Sequence, residues 1–433
     1  MGLRSVDIDD KYTAETGRVF LTGVQALVRV GLDQRRRDKA KGLNTSVYVT
    51  GYRGSPLGGV DSALWRAREQ LAALDVLFQP GVNEDLAATA CLGTQQINFL
   101  PGAQREGVSA IWYGKGPGVD RSVDALKHGN LAGASAKGGV LVLAGDDHGA
   151  KSSTTAHQSE PTLAAALIPV LYPSSVQECL DLGLAGLAMS RFSGAWVALK
   201  CATDIVEAGA TVELGAWAGD YVDPEVERPP EGLHIRKGFA PLFDEMRHMR
   251  FRLAAAQAFC RANGLDRIIV KPQRKRLGIV AAGKAYGDTL RALRDLGLDT
   301  EKCEALGIGI YKPALVWPLD PVGARAFAAG FEEILVVEEK QVLIEGQIAH
   351  AMNELALADR PRLSGKSGAG DGGFLLPSWG ELSPTPIALA IGTRLAALGM
   401  EAPDISARLA QIKVRAAAPA TSISVARTPA FCS

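Results

Sequence analysis

Short apolar runs rich in β-branched residues recur along the first half of this chain, each followed by a glycine-rich turn and a helix-like stretch. Ser46–Thr50 leads into GYRGSPLGG and SALWRAREQLAAL, and Val76–Gln79 into PGVNED and LAATACLGTQQINFL. Val108–Tyr113 leads into GKGPGVD and RSVDALKHGNLAGAS, and Val140–Ala144 into GDDHGAKSSTTAHQSE and TLAAALIPV. A fifth run, Gly194–Lys200, contains WVALK. Strands that are apolar throughout are buried on both faces, and strands joined through helices pair in parallel. The pattern therefore predicts an α/β fold with a mostly parallel sheet covered by helices. In such sheets ligands sit outside the carboxyl ends of the strands, in the loops just quoted.

The same reading divides the chain. A first domain is expected over 1–218, followed by a proline-rich and charged connection with a helical segment over 219–270. A second, smaller α/β unit spans 271–358, marked by LGIVAAGKAYGDTL and ILVVE. Residues 359–433 read as loop, a short helix and a low-complexity tail. Within that stretch GDGG begins like a magnesium-diphosphate motif. That motif needs an asparagine some 25 residues on, and none follows Asn353, so it reads as loop.

Composition narrows the function. The 47 basic and 47 acidic residues cancel, which removes the electrostatic case for nucleic acid or an anionic membrane as partner. No apolar run is long enough to span a bilayer and the N-terminus lacks a signal-peptide core, so a cytoplasmic location is expected. The six cysteines include no CxxC pair, which is no framework for disulfides, a structural zinc or a cluster.

Several segments are candidates for chemistry. Ser55, ahead of Pro56, is placed as an N-cap or as a hydroxyl facing a polar ligand. Glu84 and Asp85 open an otherwise apolar helix. Acids there commonly complement the helix dipole, but a carboxylate so placed can also be a desolvated proton-transfer group. GKGPGVD fails the dinucleotide fingerprint at Val119, where a third glycine is required. GDDHGAKSSTTAHQSE is the most polar stretch of the chain and follows its most apolar strand, which favours a substrate-facing loop. Asp146, Asp147, His148 and His157 lie in it, with spacing that fits no standard metal site.

Taken in order, YRGSPLGG, NEDLAATACLGTQQ, YGKGPGVDRSVDALKHGNLAGAS and GDDHGAKSSTTAHQSE closely resemble the thiamine diphosphate-dependent 2-oxoacid:ferredoxin oxidoreductases, and among them the indolepyruvate ferredoxin oxidoreductases. The resemblance resumes with LGIVAAGKAYGDTL, ILVVEEKQVLIEGQI and LLPSWGELSP. It implies a pyrimidine-binding domain followed by a domain resembling the C-terminal domain of transketolase. It also implies that Glu84 is the carboxylate bonded to the cofactor's aminopyrimidine, favouring the tautomer that takes the thiazolium proton. Ser55 and Gly54 would lie near the cofactor, although Arg53 and Gly54 depart from the family's YPxTP-like turn. Lys127, His128, Asp147 and His148 would contact the 2-oxoacid carboxylate.

The complete enzyme would convert an aryl or branched 2-oxoacid and coenzyme A to acyl-coenzyme A and carbon dioxide, with ferredoxin as acceptor. The family's diphosphate- and magnesium-binding domain and its 4Fe-4S cysteines have no counterpart here. The final RTPAFCS resembles only the opening of the family's FCSGCP segment. The resemblance thus implies the N-terminal part of a longer enzyme, or one product of a split gene. Such a chain is expected to share thiamine diphosphate with a companion, to pair as a dimer and to turn over little alone. Two other readings are a non-catalytic interaction module of the same fold and, more weakly, a nicotinamide-dependent dehydrogenase.

Overall fold

The computed structural model describes residues 7–215, 218–368, 373–400 and 402–417. By contact density they form two compact units. One takes the chain up to Asp147 together with His157–Asn263, and the other takes His148–Ala156 with the chain from Gly264 onward.

The first unit contains strands Gly17–Thr22 (β1), Thr45–Gly51 (β2), Val76–Phe78 (β3), Gly107–Lys115 (β4), Val140–Asp146 (β5), Val170–Leu171 (β6), Val197–Ala202 (β7) and Gly209–Leu214 (β8). Within this unit the main sheet runs β6-β7-β5-β4-β2-β3, and every neighbouring pair is parallel. All five predicted strands are present. β5 and β7 are buried at every position, the condition that removes alternation from a strand's sequence. β1 and β8 pair antiparallel as a separate ribbon.

Local chemistry sets the helix starts. Thr22 and Gln25 form a capping box at the head of Gly23–Ala40. The Asn83 side chain accepts from the Leu86 amide at 2.8 Å to open Glu84–Gln95. Ser55 is not an N-cap, contrary to the sequence reading. Its helix begins at Gly58 behind Leu57, with no side-chain cap bond. The buried Leu57 and Pro56 instead lie against the end of β5, where a Cβ on Gly145 would stand 2.9 Å from Leu57 Cγ.

The structure places the boundary between units at Asn263/Gly264, later than residue 218. Residues 219–240 carry no sustained helix or strand, but the helical segment that follows packs on the first unit. Its anchor is Arg252, which is wholly buried. Arg252 donates to the carbonyls of Leu131 at 2.9 Å, Ala132 at 3.1 Å and Leu233 at 2.6 Å. The first two carbonyls belong to the last turn of helix Gly116–Ala132, so the guanidinium caps that helix. Burial, and then Arg252 beside it, pushes the His248 imidazole down to about 3.

The second unit contains Arg267–Val270 (β9), Leu277–Ala281 (β10), Ile308–Lys312 (β11), Leu315–Trp317 (β12), Glu333–Val337 (β13) and Arg362–Ser364 (β14). Its sheet runs β14-β13-β10-β11-β9 and is parallel apart from β9. Helices Pro384–Ala397 and Pro403–Ala417, which the sequence reading set apart with 359–433, lie in this unit's core. Ile387, Ile391, Leu395, Ile405 and Ile412 join Ile279, Leu293 and Leu335 there. Most of the GDGG segment, and the RTPAFCS terminus, lie outside the described residues.

Glu338, just beyond β13, is 6% exposed. Its carboxylate accepts the amides of Leu343, Ile344 and Glu345 at 3.1, 2.7 and 3.0 Å, opening the following helix. Burial raises its pKa to about 7, because those amides and Lys366 offset it only in part. A raised folded pKa stabilises the fold below the unfolded value near 4.5, and that contribution disappears as pH rises through the folded value. Urea titrations are therefore expected to show the wild type losing stability relative to Glu338→Gln between about pH 5 and 8. A constant difference across that range would refute the assignment.

Candidate functional site

The segments beyond the carboxyl ends of β2, β3 and β4 meet in the first unit, with Asp146 and His157 beside them. The turn after β3 is tied to the end of β2 by the Gly81 amide, which donates to the Gly51 carbonyl at 2.8 Å. The next helix is tied to β4, because the buried Trp112 indole donates to the Glu84 carbonyl at 3.1 Å. Glu84 is thereby fixed at the first helical position and left 5% exposed. Among the described residues its carboxylate has no hydrogen-bond or ion-pair partner. It rests on the GKGPG turn, where a Cβ at Gly118 would stand 2.7 Å from Glu84 Oε1. A desolvated carboxylate without a donor is costly unless a ligand supplies one.

Beside it lies a chain of charges. His157 Nε2 is 2.7 Å from Asp120 Oδ2, and its Nδ1 is 3.2 Å from Asp146 Oδ1. Asp146, fully buried, also accepts the Ser159 amide at 2.8 Å and its hydroxyl at 2.6 Å. Lys200, likewise buried, sits 2.5 Å from Glu160 and 3.6 Å from Asp146. Burial would lower the His157 pKa, but its bonds to Asp146 and Asp120 outweigh that and raise it. The Glu160 pKa is raised by burial despite Lys200. The His157 ring occupies the space over Gly116, where a Cβ would stand 2.1 Å from Nδ1.

The structure sorts the residues singled out from sequence. Glu84, Ser55 and Gly54 all follow carboxyl ends of the sheet. Gly54 lies against Lys115, with a Cβ there 2.7 Å from Lys115 Cδ. Asp147 and His148 are each 2% exposed and directly follow β5. Lys127 and His128 do not join this group. They are exposed on helix Gly116–Ala132, roughly 16 Å along its axis from the end that faces the site. His128 bonds to the Asp124 carbonyl within its own helix.

Two residues carry more weight in the fold than in the sequence. Lys115 ends β4, is half-buried and has no ion-pair partner among the described residues. It lay in view inside GKGPGVD, a segment weighed only as a dinucleotide loop. His157 meets Asp120 across 37 positions of sequence, and no local spacing announces that pairing. Among the described residues no group of three or more His, Cys, Asp or Glu is arranged to hold a metal ion.

The fold, a parallel α/β domain followed by a smaller α/β unit, is of the thiamine-diphosphate-binding type. Two solved structures share the fold. A 2-oxoglutarate:ferredoxin oxidoreductase from Magnetococcus marinus matches at a TM-score of 0.61 and 15% identity, covering 88% of this chain and 66% of that one. A split-gene transketolase, described as an inactive beta4 tetramer, matches at 0.50 and 13%, covering 87% and 99%. In sequence, residues 264–419 match the indolepyruvate oxidoreductase domain family, beginning where the second unit begins. The indolepyruvate oxidoreductase subunit IorA of Methanothermobacter marburgensis is 26% identical over 414 residues, which cover 93% of this chain and 59% of that protein. The Pyrococcus abyssi subunit is 26% identical over 76% of this chain and 47% of its own length. The chain is thus similar to indolepyruvate oxidoreductase subunits in sequence and to a 2-oxoacid:ferredoxin oxidoreductase in fold, and it spans about half the length of the curated relatives it matches.

Proposed function

We propose that this chain supplies the pyrimidine side of a thiamine diphosphate site in an indolepyruvate-type 2-oxoacid:ferredoxin oxidoreductase. The observation that carries the reading is Glu84, a buried carboxylate with no hydrogen-bond or ion-pair partner among the described residues, held at a sheet edge where a ring nitrogen could meet it. That donor set fits an aminopyrimidine. When bound, thiamine diphosphate supplies an acidic thiazolium carbon and an electron sink for decarboxylation of a 2-oxoacid. Glu84 holds the proton on the pyrimidine ring nitrogen and keeps water from it. Lys115, with no ion-pair partner among the described residues, offers its ammonium to the substrate carboxylate, a charge-assisted contact. Asp146 and Asp120 favour the protonated form of His157, whose charge would offset those two acids beside an anionic substrate.

A companion chain or region supplies the diphosphate and magnesium side and the 4Fe-4S clusters. Coenzyme A accepts the acyl group, ferredoxin takes the electrons, and the substrate is an aryl or branched 2-oxoacid. The protein is cytoplasmic and dimeric. Alone, the chain gives little turnover. The test is to mix it with the companion and follow 2-oxoacid-dependent reduction of a viologen dye. Rapid reduction is expected only with both parts, and no reduction with any arylpyruvate or branched 2-oxoacid would contradict the reading.

The packing of Glu84 on Gly118 gives a second handle. Gly118→Ala adds a methyl where the carboxylate now lies, so the acid must move by several tenths of an ångström. Helix propensity favours alanine by about 1 kcal/mol, so the fold is retained. Dye reduction is expected to fall by up to about 10²-fold. An unchanged rate would place the working carboxylate elsewhere.

A further inference from the structure

At the opposite, amino-terminal edge of the first sheet lies a cavity of about 280 Å³. It forms where helices Gly23–Ala40 and Val176–Ser193 end, ahead of β2 and β7. Among the described residues its wall carries four cations, Arg37, Lys41, Arg191 and Arg228, against one carboxylate, Asp223. Cations at helix ends often do no more than answer the dipole, and part of this set is already engaged. Arg191 clamps the buried Asp38 at 2.8 and 3.1 Å, and Lys41 pairs with Asp220 at 2.7 Å.

Two observations go beyond dipole compensation. The Arg37 guanidinium lies 4.5 Å over the Tyr221 ring, and that of Arg228 lies 5.7 Å from the Phe192 ring. Aromatic faces thus hold both cations within one cavity, and Arg228 has no ion-pair partner among the described residues. The local field is also positive. His234, in the same wall, is pulled below its usual pKa by burial and then by Arg252, Arg228 and Arg247, against a bond to the Arg191 carbonyl.

We propose that this cavity is a binding site for a phosphoryl group, held by the ring-backed guanidiniums of Arg37 and Arg228. A planar fork of N–H donors matches phosphoryl oxygens, and a doubly charged group gains from two such forks at once. The site is separate from the one at Glu84, since the seven residues of β2 alone span about 23 Å between the two edges. The proposal does not depend on the thiamine reading.

Calorimetric titration of the whole chain with sodium pyrophosphate, at fixed ionic strength set by chloride, tests it. Saturable one-site binding is expected, weakened about tenfold or more in Arg228→Gln, since a hydrogen bond to a charged group is worth about 1.5–3 kcal/mol. Arg228 is exposed and packs on one ring, so the variant keeps the fold. Glu84→Gln should bind as the wild type does. A parallel titration with ADP separates the sources of the ligand. Binding tighter than pyrophosphate marks a nucleotide tail, and equal or weaker binding marks a free phosphoryl anion. Heats no larger than the chloride control with both ligands, or equal affinity in Arg228→Gln, would overturn the proposal.

Discussion

Glu84→Gln is expected to abolish most 2-oxoacid-dependent dye reduction by the complemented enzyme, by about 10²–10⁴-fold, the range of a lost general acid–base group. The substitution keeps shape and helix position and removes only the charge. Glutamine can still bond a ring nitrogen, but it cannot share a proton with it. Cofactor affinity should therefore change much less than rate. The fold should not suffer, because among the described residues the wild-type carboxylate makes no hydrogen bond that glutamine loses, and burying an amide costs less than burying an unpaired charge. The denaturation midpoint of the variant should equal or exceed that of the wild type, and a drop in stability that accompanied the loss of rate would point to a structural role instead.

The largest expected stability effect lies in the second unit. Arg394 meets Glu333 through two bonds, at 2.6 and 2.9 Å, with both side chains nearly inaccessible. Ser364 donates to the same carboxylate at 2.6 Å. Arg394 also reaches the Gly368 carbonyl at 3.0 Å. This one residue ties helix Pro384–Ala397 to β13 and to Gly368, beyond β14. Arg394→Ala leaves Glu333 buried with a single donor, and breaking such a pair costs about 3–5 kcal/mol. Urea unfolding should show that loss. A change below about 1 kcal/mol would mean the helix is held by its apolar face alone.

These two sites show what the sequence could and could not reveal. The strands β2, β4, β5 and β7 were legible because burial on both faces leaves a continuous apolar run. β6 was not, since two residues make no pattern. β1 was not either, since it is a half-exposed ribbon away from the main sheet. Glu84 stood out as an acid opening an apolar helix, and the fold adds the Trp112 bond and the Gly118 contact that hold it in place. Lys115 and His157 needed the fold, because β4 and the loop after β5 approach only once the sheet is built. Lys127 and His128 lie apart from this group because motif proximity is not spatial proximity on a helix, where three turns carry a residue well away from its start. The helices after residue 384 were read as an appendage because a terminal segment's destination is set by tertiary packing, here Arg394 on Glu333 and isoleucines in the second core.

The central claim is that Glu84 prepares a thiamine cofactor for proton loss. Its most direct measurement is the exchange of the thiazolium C2 proton of thiamine diphosphate for deuterium, sampled by quenched-flow NMR in the companion-complemented enzyme. Exchange should run far faster than in free cofactor with the wild-type chain, and Glu84→Gln should slow it towards the free rate. Equal exchange in the two proteins would contradict the assignment, and with it the reading of this chain as the pyrimidine half of the site.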